Sequence, residues 1–242
     1  MTKYTFSSKT INAGSNAKTV KGDSEYLTAI MYLAPFKLSG MGNVCAMAEL
    51  AKCHAPCLNL SGRGVFSNIQ KARIRKTKFY FEDRQGFLAQ LKKDIEKFHT
   101  FCEVRGVIPA IRLNGTSDIR WENELLSTSK NVFDQFPDIT FYDYTKISNR
   151  KTKDIKNYHL TWSYSGADKK YSDMAGAAKK AGMNIAVVFR DDNFPRKFLN
   201  WNVIDGDKDD LRFLDPKKSI VGLKAKGPAK KDTSGFVVDI NV

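Results

Sequence analysis

Seven short apolar runs, most closed by a polar or glycine-bearing turn, are what most constrains the fold of this chain. They are Glu25–Ala34, Val107–Leu113, Ile139–Tyr144, Tyr158–Tyr164, Asn184–Arg190, Asn202–Ile204 and Ser219–Leu223. Each reads as a strand, and the first is closed by Pro35. Segments of helical pattern lie between several of them. Ser67–Lys78 reads as a helix capped by Ser67, with Lys71, Arg75 and Lys78 along one face. Asp83–Val104 carries the apolar stripe Phe87, Leu88, Leu91, Ile95, Phe98 and Cys102 and is stopped by Gly106. Glu122–Phe136 and Asp168–Ala181 complete the expected helices. Strands separated by helices or long connections pair in parallel through right-handed crossovers. The expectation is an α/β fold, a complete or partial TIM-type barrel. No G-x-G-x-x-G follows the first strand, which argues against a dinucleotide site.

A chain of 242 residues is long enough for one full core. Residues 1–24 are rich in Ser, Thr, Asn, Gly and Lys. They read as a mostly irregular arm with a short edge strand near Tyr4–Phe6, ahead of a single domain over 25–242. The composition is 42% hydrophobic and 27% charged, which excludes wholesale disorder. No apolar run reaches the roughly 20 residues that span a bilayer, and the first residues lack the apolar core of a signal peptide. With four cysteines, this predicts a reducing, cytoplasmic setting. The formal net charge of +14 favours nucleic acid, an anionic small molecule or an acidic partner; the plain alternative is a solvated basic surface.

Three of the cysteines, Cys45, Cys53 and Cys57, fall in one loop, residues 44–64, with spacing C-x7-C-x3-C. Ala46–Lys52 between them is helix-forming, so a turn or two of helix separates Cys45 from Cys53. Soft thiolates suit iron–sulfur, zinc or copper(I), and three local donors leave one position of a [4Fe–4S] cluster open. Zinc is the second reading, with His54 completing Cys3His, although adjacent residues seldom turn to one ion. Inert core thiols are the third. Cys102 lies on the apolar stripe of its helix and reads as a core thiol.

In a barrel the functional groups gather at the carboxyl ends of the strands. Here those ends carry Arg112, Asn114, Asp118, Asp143, Lys146 and Arg190, the candidate catalytic residues. Asn114, Gly115, Thr116, Ser117 and Ser163 are the candidate cofactor-binding positions. Any one of them taken alone reads as a turn or cap residue. Two basic clusters, Arg63, Lys71, Arg73 and Arg75 after the cysteines and Lys224, Lys226, Lys230 and Lys231 near the end, are candidates for nucleic-acid or anion binding.

A strand, a three-cysteine loop, a helix and a second strand with a Gly-containing polar turn resemble the architecture of radical S-adenosylmethionine enzymes. That superfamily usually shows C-x3-C-x2-C and a Gly-Gly-Glu-like turn, whereas this chain has C-x7-C-x3-C and Asn114-Gly115-Thr116-Ser117-Asp118. The resemblance implies a [4Fe–4S] cluster and S-adenosylmethionine as cofactors.

A closer likeness is to the uncharacterised bacteriophage family labelled gene product eighty-eight. It is carried by L-T-A-I at Leu27–Ile30, the cysteine loop with Gly62-Arg63-Gly64, A-R-I-R-K-T at Ala72–Thr77 and F-E-D-R at Phe81–Arg84. It continues through R-L-N-G-T-S-D-I at Arg112–Ile119, F-Y-D-Y-T-K at Phe141–Lys146, A-V-V-F-R at Ala186–Arg190, V-I-D-G-D at Val203–Asp207 and the basic run Gly222–Phe236. It implies a phage-encoded protein at work in the host bacterial cytoplasm and supplies no activity. Two functions follow as expectations. One is a radical-enzyme-like iron–sulfur protein acting on a nucleotide, nucleic acid or other anionic substrate. The other is a non-enzymatic binder of nucleic acid or a host protein, in which the cluster or zinc is structural.

Overall fold

The computed structural model describes residues 4–14, 19 and 25–240. Among these residues, ten strands form one mixed sheet: β1 (Phe6–Ser7), β2 (Asn12–Ala13), β3 (Tyr26–Ile30), β4 (Ile108–Arg112), β5 (Thr140–Thr145), β6 (Tyr158–Ser163), β7 (Asn184–Phe189), β8 (Lys197–Phe198), β9 (Trp201–Asp205) and β10 (Ser219–Lys224). Their order across the sheet is β1-β2-β3-β4-β5-β6-β7-β10-β9-β8. From β3 to β9 every neighbour pairs in parallel, while the β1–β2 hairpin and β8 add antiparallel margins. All seven expected strands are present. The mixed α/β class is as expected, while the pairing does not show a closed barrel. The sheet is open among the described residues, and β10 inserts between β7 and β9 instead of following in sequence. The arm is also more ordered than expected: its edge strand falls at Phe6–Ser7 and its hairpin extends the sheet through Ala13 and Ala29. Residues 1–3, 15–18 and 20–24 of the arm lie outside the described residues.

Among the described residues, five helices join the strands: α1 (Ser67–Glu82), α2 (Arg84–Glu103), α3 (Val132–Gln135), α4 (Lys169–Ser172) and α5 (Ala175–Lys180). Ser67 is the first residue of α1 and not its cap; Phe66 occupies that place with no side-chain hydrogen bond. Asp83 caps α2 by accepting from Gly86 N over 2.8 Å. The helix expected over Glu122–Phe136 reduces to a 3-10 turn at Trp121–Asn123 and the single turn of α3. The polar run Ser127–Asn131 between them favours turns and caps, and Asn131 forms a capping box with Asp134. The helix expected over Asp168–Ala181 breaks between α4 and α5, where Met174 N and Ala177 N bond three residues back.

Side chains alternate across a strand, and the two faces of this sheet differ. Leu27, Ala29, Ile111 and Phe141 pack with Phe87, Leu91, Ile95 and Phe98 of α2, and Cys102 is fully buried among them. Trp162, Ile185, Val187 and Phe189 continue this core beneath Tyr171 and Ala178 of α4 and α5. The opposite face carries Tyr26, Thr28, Arg112, Tyr142 and Tyr144. The β9–β10 connection lies across it: Arg112 Nη1 meets Asp210 Oδ2 at 2.7 Å, and the Phe213 ring sits 5.0 Å from Tyr26 and 5.2 Å from Tyr142.

Candidate metal centre

The chain leaves β3 at Ile30, runs without regular structure to Pro35 and then forms the cysteine loop. One short helical turn follows Cys45, with Ala51 N bonding to Met47 O at 2.9 Å. Two 3-10 turns, Leu58–Leu60 and Gly62–Val65, lead into α1. The loop is fastened from several sides. Asn59 is buried; its amide donates to Gln70 Oε1 at 3.0 Å and its Oδ1 accepts from Arg73. A Cβ on Gly64 would collide with Asn59 O, so glycine is required there. Ser165 Oγ, beyond the end of β6, donates to Ala51 O over 2.7 Å. Asp118 N donates to Val44 O over 2.7 Å, tying the turn after β4 to the start of the loop.

These ties bring the three thiols into one electrostatic neighbourhood. Cys45 is influenced by Cys57 and Cys53, and Cys57 by Cys53. Burial pushes all three thiols up, Cys45 to about 12, so bound metal would have to displace protons. Lys146, at the end of β5, faces the same point: all three cysteines and Asp118 act on it, and its presence favours the thiolates of Cys53 and Cys57. Burial lowers the Lys146 ammonium against the opposing pull of those groups. Its Nζ donates to Ser163 Oγ at 2.8 Å and Ser163 O at 3.1 Å, 4.7 Å above the Phe236 ring. Asp118 is buried, accepting from Thr145 Oγ1 at 2.8 Å and Lys146 N at 2.7 Å.

The carboxyl ends of β3, β4, β5 and β6 thus converge on the three sulfurs, Asp118, Lys146 and Ser163. His54 turns elsewhere: its Nδ1 lies 3.2 Å from Ala48 O and its ring 5.3 Å from that of Phe36. Among the described residues, no group of three or more His, Cys, Asp or Glu side chains is placed to hold a metal ion. A single zinc ion draws its sulfurs to about 2.3 Å from one point. The ligands of a cluster go to separate irons and need no common point.

Several expected site residues serve other ends. Arg112 lies on the opposite face, neutralised by Asp210. Asn114 spends its side chain inside its own turn. Its Oδ1 accepts from Ser117 Oγ, Ile119 N and Trp121 Nε1, and its Nδ2 donates to Ile119 O. Asp143 is buried, accepting from Asn114 N and the Tyr158 hydroxyl. Gly115 answers a packing need, since a Cβ would come within 2.7 Å of Ile30 Cγ2 and Met31 O. Thr116 Oγ1 donates to Leu33 O, while its own carbonyl lies 3.7 Å from Cys45 Sγ. Arg190 clamps the C-terminal segment through Asp239 and the carbonyls of Lys230 and Asp232.

Of the basic clusters, Arg73 holds Asn59, Lys224 pairs with Asp192 at 2.5 Å and Lys226 with Asp207 at 2.6 Å. Arg63, Lys71, Arg75, Lys230 and Lys231 are exposed. Sequence reasoning missed Asn59, and also Arg150, whose guanidinium joins Glu122, Asp118 and the Tyr158 hydroxyl beneath the site. It missed Tyr171 too, whose hydroxyl donates to Ser163 O at 2.7 Å. No spacing signal marks these residues, because their partners lie eight or more residues away and on other elements.

The family model described as Gene product 88 matches residues 5–240. The chain belongs to the Gene product 88 family. Neither the curated proteins nor the solved structures contain a match to it. The match takes in the cysteine loop, the turn after β4 and Lys146 of this Gene product 88 member together. No helix among the described residues is long and apolar enough to cross a membrane.

Proposed function

We propose that this phage-encoded protein binds a [4Fe–4S] cluster through Cys45, Cys53 and Cys57 and acts as a radical-enzyme-like iron–sulfur protein on a partial barrel. What supports the proposal is the chemistry of one loop, three soft thiols close enough in space to act electrostatically on one another and on Lys146 at the carboxyl end of β5. The type of donor suits such a cluster, since the sulfurs are soft, only partly buried, and held on a loop that Asn59, Gly64 and Ser165 fix. When bound, such a cluster with one open iron supplies an electron to S-adenosylmethionine for radical chemistry.

The chain's own groups have definite tasks in this reading. Lys146, beside the thiols, favours an anionic cluster and offers N–H donors to a carboxylate at the site mouth. Asp118 and Ser163 hold that lysine in place. Arg112, Asn114 and Asp143 shape the strands and the turn around it. The test is the electronic spectrum after anaerobic purification, with and without S-adenosylmethionine. A sulfur-to-iron absorption that shifts when S-adenosylmethionine is added supports the enzyme. A colourless protein that retains zinc supports a structural metal instead.

A further inference from the structure

Four apolar side chains within nine residues stand out on the surface beside the cysteines. Leu58 is 58% exposed, Leu60 45%, Val65 57% and Phe66 56%. They project from two consecutive 3-10 turns that pack on each other. Cys57 caps the first turn, its sulfur accepting from Asn59 N over 3.5 Å. The turns are not mobile padding, because Asn59, Gln70, Arg73 and Gly64 O lock them to α1. A folded chain that holds four large apolar groups rigidly in water marks an interaction surface.

The rim is basic on two sides. Arg63 lies in the second of these turns, is exposed, and has no ion-pair partner among the described residues. On the other side the 3-10 turn Gly227–Lys231 packs against Leu58–Leu60, so closely that a Cβ on Gly227 would meet Leu60 O at 3.0 Å. That turn brings in Lys230 and Lys231, also exposed and without an ion-pair partner among the described residues. Other lysines of this chain do have carboxylates: Lys169 with Asp173, Lys224 with Asp192, Lys226 with Asp207.

We infer that this face docks an acidic protein, one presenting an apolar patch ringed by carboxylates. An apolar centre with a charged rim is the anatomy of a protein interface. A second copy of the chain is disfavoured, because an isologous contact would set Arg63, Lys230 and Lys231 against the same three cations. Nucleic acid rewards the basic rim but gives no return for exposed Leu58, Leu60 and Val65. The inference goes beyond the cluster reading and does not depend on it, since the patch stands whether or not the thiols hold metal.

The test uses the full chain and three fluorescent probes: an amphipathic helical peptide with a Leu stripe edged by Glu, polyglutamate of equal charge, and single-stranded DNA. The Leu–Glu peptide is expected to bind about ten-fold tighter than polyglutamate. Leu58→Ser with Phe66→Ser abolishes that advantage, and Arg63→Glu with Lys230→Glu weakens the peptide by about ten-fold or more. Leu125→Ser, at an exposed apolar site elsewhere, leaves binding unchanged. Circular dichroism confirms that each variant is folded. Polyglutamate or DNA binding as tightly as the peptide, with no response to Leu58→Ser and Phe66→Ser, overturns the inference. Self-association through the patch overturns it as well.

Discussion

The hydroxyl of Ser165 donates to the carbonyl of Ala51 across 2.7 Å, and both residues are fully buried. This bond joins the end of β6 to the turn two residues before Cys53. Ser165→Ala strands a buried carbonyl, which costs about 1–3 kcal/mol. The expected result is a lower midpoint in urea unfolding and reduced iron retention, with the circular dichroism spectrum unchanged.

The ion pair of Arg112 with Asp210 is buried on the face away from α2. Asp210 overcomes the cost of burial and raises the Arg112 guanidinium above its ordinary value. Arg112→Met leaves a carboxylate without this partner in the interior and is expected to cost about 3–5 kcal/mol. Arg112→Met combined with Asp210→Asn should cost markedly less than the sum of the single variants. A double-mutant cycle by chemical unfolding reads this coupling directly.

Burial lifts the Asp143 carboxyl to about 7, against the pull of Arg112 and the bond from Asn114 N. Its unfolded value is about 3.9. The folded state therefore holds this proton more tightly, so the contribution of Asp143 is greatest below about pH 4 and is lost as pH rises through 7. Asp143→Asn imitates the neutral form. Relative to that variant, wild type should lose stability between about pH 4 and 7, on the order of 4 kcal/mol at most. Equal pH slopes for the two proteins would contradict the assignment.

Gly115 sits where β3 and the turn after β4 touch, its N bonded to Met31 O at 3.0 Å. Gly115→Ala forces a Cβ into Ile30, Met31 and Tyr32. The expected loss is about 1–3 kcal/mol by thermal or urea unfolding. The same substitution at Gly176, where a Cβ meets nothing within 4 Å, should be neutral or stabilising.

The strands were legible because buried parallel strands carry their identity locally, in runs such as Ala186–Arg190. The order of the last two was not, since nothing local tells β10 to enter between β7 and β9. Helix α2 was legible from its stripe and from Asp83. The segment Glu122–Phe136 misled because Trp121, Val132 and Phe133 are buried by tertiary packing without a continuous helix. At the site, the cysteines and Lys146 stood out as unusual groups at strand ends. Arg112 and Arg190 stood out equally, yet only distant partners, Asp210 and Asp239, reveal that they are already occupied.

Iron and acid-labile sulfide, measured anaerobically in wild type and in the four single cysteine-to-alanine variants, test the central claim most directly. Near-equal iron and sulfide in wild type, lost in Cys45→Ala, Cys53→Ala and Cys57→Ala and kept in Cys102→Ala, is the predicted pattern. A wild-type protein without iron or sulfide after anaerobic reconstitution, or iron indifferent to the three loop cysteines, would contradict it.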